Sequence, residues 1–175
     1  MIVIPPALAE RPLVHYVAQP RSVTMETFDA AIEDALGVVF AWLATNGFAP
    51  SGAPIIRYRV IDMARELRVE IGVPVAAPVV VADGLVCDVL PAGTYGAATY
   101  RNMAEGVAGN AALIGWAEDN GIEWDRWDSD AGDVFACRFE VLLGDPAVNP
   151  DPTTWEAEVA ILVKAGRVPG VGAAG

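Results

Sequence analysis

The chain has 175 residues, of which 54% are hydrophobic and 19% are charged, and its formal net charge is −12. This length fits one ordinary domain, and the apolar content is enough for a core, so the composition excludes general disorder. Nucleic acids and anionic membranes attract clustered lysine and arginine, whereas this chain has 11 basic residues and no run of them. We therefore predict no nucleic-acid partner and no membrane partner, and favour a neutral or cationic small molecule.

Residues that bind metals or form disulfides are scarce. Cys87 and Cys137 lie in apolar segments, which indicates two buried free thiols, and His15 is the only histidine. A zinc site would need an unusual ligand set, so we expect no metal and no cofactor. The first residues lack the pattern of a signal peptide, and no segment reaches the roughly 20 apolar residues of a membrane span. These features predict a cytoplasmic protein.

The first predicted elements are a strand at 13–18 and a long helix. Thr24 is the predicted N-cap, with Glu26 in the first turn, and Asn46-Gly47 is a typical helix end. The helix carries an apolar stripe formed by Phe28, Ile32, Leu36, Val39 and Leu43. Strands are predicted next at 55–60 and 67–74.

The same kinds of element then follow a second time. A strand at 85–90 is predicted to continue past a bulge through 94–100. A helix at 105–119 ends at Asn120-Gly121, and strands at 134–143 and 156–163 come after it. Residues 166–175 are rich in glycine and alanine, and we expect them to form a flexible tail.

Residue patterns support an internal duplication. A Trp-x-x-x-Asn-Gly motif closes both helices, at 42–47 and at 116–121. Residues 69–75 then resemble 157–163, which leaves a longer insert in the second half. We predict an α+β domain of duplicated β-α-β-β units, with pseudo-repeats at about 12–80 and 85–164 of a single domain at 1–165. Its antiparallel sheet has two long helices on one face and a central ligand cleft on the other.

Strand alternation assigns the two faces of this sheet. The apolar positions of 67–73 and of 157–163 are expected to face the helices, which leaves Glu70 and Glu158 on the opposite face. A glutamate in a cleft could bind a cationic ligand or transfer a proton. A solvated glutamate on an exposed sheet is the alternative, and for Glu70 taken alone we favour that alternative.

Aromatic residues on strands, or on loops close to them, are the other candidates for ligand contact, because they stack on flat ligands and on cations. Core packing is the competing explanation for each of them taken singly. The candidates are Tyr58, Tyr95, Trp124, Trp127, Phe135 and Trp155.

Several segments together resemble the GyrI-like small-molecule-binding family, over most of the chain from about 12 to 164. The specific part is the ending, at 139–146 and 149–163, which is similar to the family pattern E-x-Y-x-x-x-P followed by W-x-x-E-[IV]-x-[IL]-P-[IV]. The segments Leu90–Tyr95 and Gly72–Val75 also look like family strands. This family occurs as stand-alone proteins and as the effector-binding domain of AraC- and MerR-type regulators.

The resemblance implies two β-α-β-β units of the SHS2 type around a central cleft. It also implies that Glu158 is similar to the glutamate that meets cationic ligands in multidrug-sensing members. Some stand-alone members look like hydrolases of strained electrophiles. The chain departs from the pattern at Leu142, where the family has a tyrosine, at Leu162, where it has a proline, and at Tyr100-Arg101-Asn102, where His-x-Gly is usual. The missing tyrosine weakens the case for drug recognition and for tyrosine-assisted chemistry.

Three functions compete at this point. The favoured one is a stand-alone binding protein for an amphipathic, aromatic or cationic molecule, acting as a sensor or in sequestration and resistance. The alternative is a hydrolase of a strained electrophile that uses Glu158 as general acid or base. A module that inhibits a partner protein through its acidic surface is also compatible with the charge. No helix-turn-helix pattern fits before residue 12 or after 164, so we expect no DNA-reading segment.

Overall fold

The structure, a computed structural model, describes residues 1–145 and 147–166, and most of the predicted tail at 166–175 therefore lies outside the described residues. In the described part, ten strands form one antiparallel sheet with two helices, which confirms the predicted α+β class. The strands are β1 (Ile2–Arg11), β2 (Val14–Val23), β3 (Ile55–Ile61), β4 (Leu67–Val75), β5 (Val86–Leu90), β6 (Gly93–Arg101), β7 (Arg126–Ser129), β8 (Gly132–Phe135), β9 (Arg138–Leu142) and β10 (Glu156–Leu162). The helices are α1 (Phe28–Thr45) and α2 (Gly106–Asp119), with a short 3-10 turn at Met103–Glu105.

The two β-α-β-β units are visible in the strand order. The order is β1-β6-β10-β9-β3-β4-β2-β5, so β2-α1-β3-β4 forms one half of the sheet and β6-α2-β9-β10 forms the other. The halves join where β3 pairs with β9, for example at Ile55 opposite Val141. The extra length predicted in the second half is the hairpin β7–β8, which attaches to β3.

Both edges of the sheet differ from the prediction. Residues 2–11 form an additional strand, β1, whose two prolines are tolerated at an edge because one side of the strand has no partner strand. Residues 93–101 are not a continuation of β5. The chain turns after Leu90, so that β5 pairs with β2 of the first half, whereas β6 pairs with β1 and β10. Strand β1, which precedes the first half, is therefore the outer strand of the second half. Strand β5, which precedes the second half, is the outer strand of the first.

The helix ends agree with the sequence better than the helix start does. Gly47 and Gly121 follow the two helices with φ of +73° and +65°, the left-handed conformation that suits glycine. Helix α1, however, begins three residues later than predicted. The Thr24 N–H donates to the Thr27 side chain at 3.0 Å and makes a separate turn, so Thr27 is the N-cap and Asp29 is the acidic residue of the first turn.

The helices cover one face of the sheet, as the alternation predicts. Val39 and Leu43 of α1 pack on Val73, and Leu113 of α2 packs on Val159 and Ile161. Both cysteines are free, Cys137 buried and Cys87 half-buried. Neither described helix combines the length and apolar character needed to cross a membrane.

Gly72 on β4 is predicted to be irreplaceable. A Cβ atom there would lie 1.9 Å from the Val17 carbonyl oxygen and 2.5 Å from the Ala18 Cα, both on the neighbouring strand. We expect Gly72→Ala to lower the free energy of unfolding by about 3 kcal/mol in urea denaturation, because backbone has to move.

Gly37, in the middle of α1, is the matched control. Nothing lies within 4 Å of a Cβ atom built there, so Gly37→Ala is expected to raise stability by about 0.5–1 kcal/mol through helix propensity. Equal effects of the two substitutions would contradict the close approach of β2 and β4.

Candidate functional site

The face of the sheet opposite the helices, called the open face below, carries an aromatic and aliphatic cluster of its own. Glu70 and Glu158 both lie on this face, as predicted from alternation, because each hydrogen-bonds or ion-pairs with residues of that side. The cluster is formed by Tyr16, Ala18, Ile55, Leu90, Tyr95, Cys137, Phe139 and Ala160. The open face is thus not a solvated sheet surface, and its two glutamates lie at the margin of a second core.

Glu158 is paired with an arginine of the same chain. The Nη1 atom of Arg11 donates to Oε1 of Glu158 at 2.8 Å, and about a quarter of each side chain is exposed, 24% for Arg11 and 27% for Glu158. Arg11 is the last residue of β1 and pairs with Gly93 on β6. Glu158 lies on β10, between Thr99 of β6 and Val141 of β9.

Two aromatic rings complete the surroundings of this arginine. The guanidinium carbon of Arg11 lies 5.9 Å from the centroid of the Tyr95 ring and 5.8 Å from that of Phe139. The two rings meet edge to face, with centroids 5.7 Å apart. A carboxylate and two ring faces around one cation form a cation-binding arrangement, in which the ring quadrupoles add to the charge pairing. Below, Glu158, Tyr95 and Phe139 are called the cation cage.

Tyr95 contributes its ring to the cage, while its hydroxyl is engaged elsewhere. The hydroxyl donates to the Pro91 carbonyl oxygen at 2.7 Å. The pKa of Tyr95 is raised well above its usual value, mainly by burial and to a lesser extent by the neighbouring Cys137 thiol. The hydroxyl of Tyr95 therefore stays protonated at neutral pH and keeps the ring fixed in place.

Glu70 has a different set of partners. The Tyr16 hydroxyl donates to Glu70, and Nε of Arg59 donates to it at 3.0 Å. Arg57, also on β3 and almost completely buried, donates to the Tyr16 hydroxyl oxygen at 2.9 Å. Burial first, and Glu70 second, raise the pKa of Tyr16 far above its usual value. Glu70 is therefore already satisfied by donors of its own half.

The two glutamates occupy equivalent places in the two halves. Tyr16 pairs with the residue four positions after Glu70, and Tyr95 pairs with the residue four positions after Glu158. The arginine that faces each glutamate comes from a different strand, β3 in the first half and the edge strand β1 in the second. The duplication thus placed a tyrosine and a glutamate at equivalent positions in each half, but only Tyr16 donates to its glutamate, whereas the Tyr95 hydroxyl donates to Pro91.

Three predicted site residues lie on the helix-covered side instead. Tyr58 packs against the Phe28 ring of α1, with centroids 6.1 Å apart. Phe135 and Trp124 belong to the cluster beneath α2. The structure does not bring these three side chains together with Glu158. Tyr58 lies one residue from Arg57, and that single step along the strand moves it to the other face.

The remaining two predicted aromatics lie at the periphery. Trp127 is on the β7–β8 hairpin and is 51% exposed. Trp155 precedes β10, and its Nε1 donates to the Asn149 carbonyl oxygen at 2.7 Å. It borders a shallow hollow of about 280 Å³ together with Leu143 and Glu156. A second hollow, of about 350 Å³, lies beside Glu70 and is lined by Pro20, Ser22, Arg59 and Arg68, among others.

Sequence reasoning missed two members of the site. Phe139 could have been found, because the alternation within 134–143 places it on one face with Val141. Arg11 gave no such signal, since its position depends on which strand β1 pairs with. Among the described residues, no group of three or more histidine, cysteine, aspartate or glutamate side chains could hold a metal ion.

A separate polar cluster is buried between α2 and the sheet. Glu140 accepts hydrogen bonds from the Asn110 side chain at 2.6 Å and from the Tyr100 hydroxyl at 3.2 Å. Arg138 donates to the Asn110 side-chain oxygen at 2.6 Å. Burial raises the pKa of Glu140 above its ordinary value, and the hydrogen bonds only partly oppose this shift.

Comparison with known proteins places the fold but not the family. No family model matches the chain, and no curated protein matches it. EcmrR in a complex with DNA superposes with a TM-score of 0.72 at 15% identity, covering 94% of this chain and 59% of the EcmrR chain. The chain thus spans less than two thirds of EcmrR. The isolated EcmrR C-terminal domain gives a TM-score of 0.67 at 14% identity, over 93% of this chain and 99% of that domain.

Two further structures share the fold. SAV2435 bound to tetraphenylphosphonium has a TM-score of 0.54 at 9% identity, over 91% of this chain and 94% of that one. A hydrolase from Listeria innocua has a TM-score of 0.59 at 12% identity, over 94% of both chains. Identities this low show a shared fold alone. The shared fold agrees with the one that the resemblance to the GyrI-like family implies.

The raised pKa of Glu140 predicts a characteristic pH dependence of stability. The protonated carboxyl is favoured in the folded state, so its contribution is complete below the unfolded pKa of about 4.3 and is lost as pH rises through the folded pKa. Glu140→Gln keeps a neutral group at every pH. We expect the free energy of unfolding of the variant, relative to the natural protein, to increase from pH 4 to pH 8. Parallel curves in urea denaturation across that range would contradict the prediction.

Proposed function

We propose that the chain is a small-molecule-binding domain whose ligand, an amphipathic molecule with a cationic or flat aromatic group, meets Glu158 on the open face. One observation carries the proposal, namely the guanidinium of Arg11 held against the Glu158 carboxylate and the rings of Tyr95 and Phe139. The chain itself thus supplies an example of a flat cation in this cage. The interpretation as a solvated surface glutamate fits these contacts less well.

Charge and fold support the same proposal. A net charge of −12 raises the local concentration of cations at the surface. SAV2435, which shares the fold, is described as bound to tetraphenylphosphonium, an organic cation surrounded by aromatic rings. We propose on these grounds that residues 1–165 are one cytoplasmic domain of the GyrI-like, SHS2-type kind, with effector-binding or multidrug-binding character.

A nucleic-acid partner needs separate treatment, because EcmrR is described in a complex with DNA. The present chain corresponds to 59% of the EcmrR chain and to 99% of its C-terminal domain. We propose that this domain contributes ligand binding and leaves DNA contact to other protein segments, since its acidic charge opposes a phosphate backbone.

The hydrolase alternative stays a prediction. The structure from Listeria innocua supports it only through the fold. General acid–base catalysis by Glu158 would require the carboxylate to reach a substrate, whereas Arg11 now lies against it.

The test compares two isosteric probes of opposite charge. Tetraphenylphosphonium is expected to bind in isothermal titration calorimetry, whereas tetraphenylborate is not, because the cage carboxylate repels an anion. Glu158→Gln removes the charge and preserves the shape, and we expect it to weaken binding of the cation at least about threefold. Glu118→Gln, on the exposed side of α2, is the control and should bind as the natural protein does. Equal binding of both probes, or an unchanged Glu158→Gln variant, would remove the proposal.

A further inference from the structure

The arginine in the cation cage, Arg11, is held by fewer contacts than Arg57, which also lies on the open face. Arg57 is 5% exposed and donates to the Val89 and Ala136 carbonyl oxygens at 2.7 and 3.1 Å, in addition to the Tyr16 hydroxyl. Arg11 makes one ion pair, to Glu158, and the buried Nε atoms of Arg11 and Arg57 alike have no hydrogen-bond partner among the described residues. The difference between them lies in their other contacts: Arg57 is fixed in the core by several hydrogen bonds, whereas Arg11 has one polar contact, to Glu158.

The position of Arg11 in the chain adds to this difference. It is the last residue of an edge strand, and Pro12 and Leu13 after it are exposed. Strand ends at the edge of a sheet open at low cost, because only one neighbouring strand holds them. The Arg11 side chain also reaches its cage from outside the half that supplies Glu158 and Tyr95. Its release would leave the cage residues in place on β6, β9 and β10.

We propose that Arg11 is an internal competitor, which occupies the cation cage in the free protein and which a bound cation displaces. This inference rests on the proposed function and adds a regulatory element to the same site. The ligand exchanges one cation for another at Glu158, so the charge pairing cancels in part, and ring contact and apolar burial supply much of the net gain. The cage then discriminates against small hydrated cations and favours large aromatic ones.

Displacement would also transmit occupancy to the edge of the sheet. The end of β1 is held by its pairing with β6, in which Glu10 is opposite Thr94 and Arg11 is opposite Gly93. Once the Arg11 side chain leaves the cage, this end loses the contact that ties it to β10. The amides of residues 9–11 are therefore expected to exchange with deuterium faster when tetraphenylphosphonium is bound than when it is absent.

The main test removes the competitor. Arg11→Gln is expected to bind tetraphenylphosphonium about tenfold more tightly than the natural protein, because the cage is then available without a prior release step. Arg11→Lys keeps the charge and loses the flat guanidinium, so its affinity should lie between the two. Arg101→Gln is the matched control. Arg101 of β6 pairs at 2.7 Å with Glu156, which lies on β10 as Glu158 does, and the affinity of this variant should equal that of the natural protein.

A double substitution tests displacement directly. With Arg11 present, Glu158→Gln weakens the binding of the competing Arg11 side chain as well as the binding of the ligand, so the loss of ligand affinity is partly offset. In the Arg11→Gln background nothing cancels, and the same change should cost more than about tenfold in affinity. An equal effect of Glu158→Gln in both backgrounds would show that ligand and Arg11 do not exclude each other.

The outcomes separate the two proposals. Absence of tetraphenylphosphonium binding in both the natural protein and Arg11→Gln would overturn the proposed function. Binding by the natural protein, with no gain in Arg11→Gln and no faster exchange at 9–11, would overturn the displacement alone. The exchange measurement uses the natural protein, so it decides the question even where Arg11→Gln unfolds.

Discussion

The pairing of β3 with β9 joins the two repeats into one sheet, and the position of every residue of the candidate site depends on it. The two strands run antiparallel, with Ile55 opposite Val141 and Arg57 opposite Phe139. Each strand brings its own half of the sheet, so Glu70 and Glu158 come to lie on the same open face. Since side chains alternate along a strand, a shift of one residue at this junction would exchange the faces of one half.

The edge strands make the two equivalent positions different. Strand β1 precedes the first half and pairs with the second, and β5 does the reverse. As a consequence, Glu158 meets Arg11 from the beginning of the chain, whereas Glu70 meets Arg59 of its own half. This exchange of edge strands explains why the two equivalent glutamates differ: Glu70 accepts hydrogen bonds from Tyr16 and Arg59, whereas Glu158 has a single ion pair with Arg11.

Because Arg11 already occupies the cation cage, Glu158 is not a free carboxylate, and this changes which cations it would attract. An unpaired cleft glutamate would attract any cation, whereas on the proposed function a glutamate that already holds a guanidinium would bind only a cation that makes better contacts. The missing family tyrosine at Leu142 is no loss to this cage, because Leu142 lies on the helix side and packs in the cluster of α1. Phe139 and Tyr95 supply the rings instead.

The sequence alone determined the features that depend on near neighbours along the chain. Helical spacing, strand alternation and the Asn-Gly helix ends predicted the α+β duplication and the faces of Glu70 and Glu158, because these patterns have local periods. Only the tertiary structure decided that Arg11 lies against Glu158 and that Tyr58, Phe135 and Trp124 face the helices. The reason is that 147 residues separate Arg11 from Glu158, and strand pairing over that distance depends on the whole sheet.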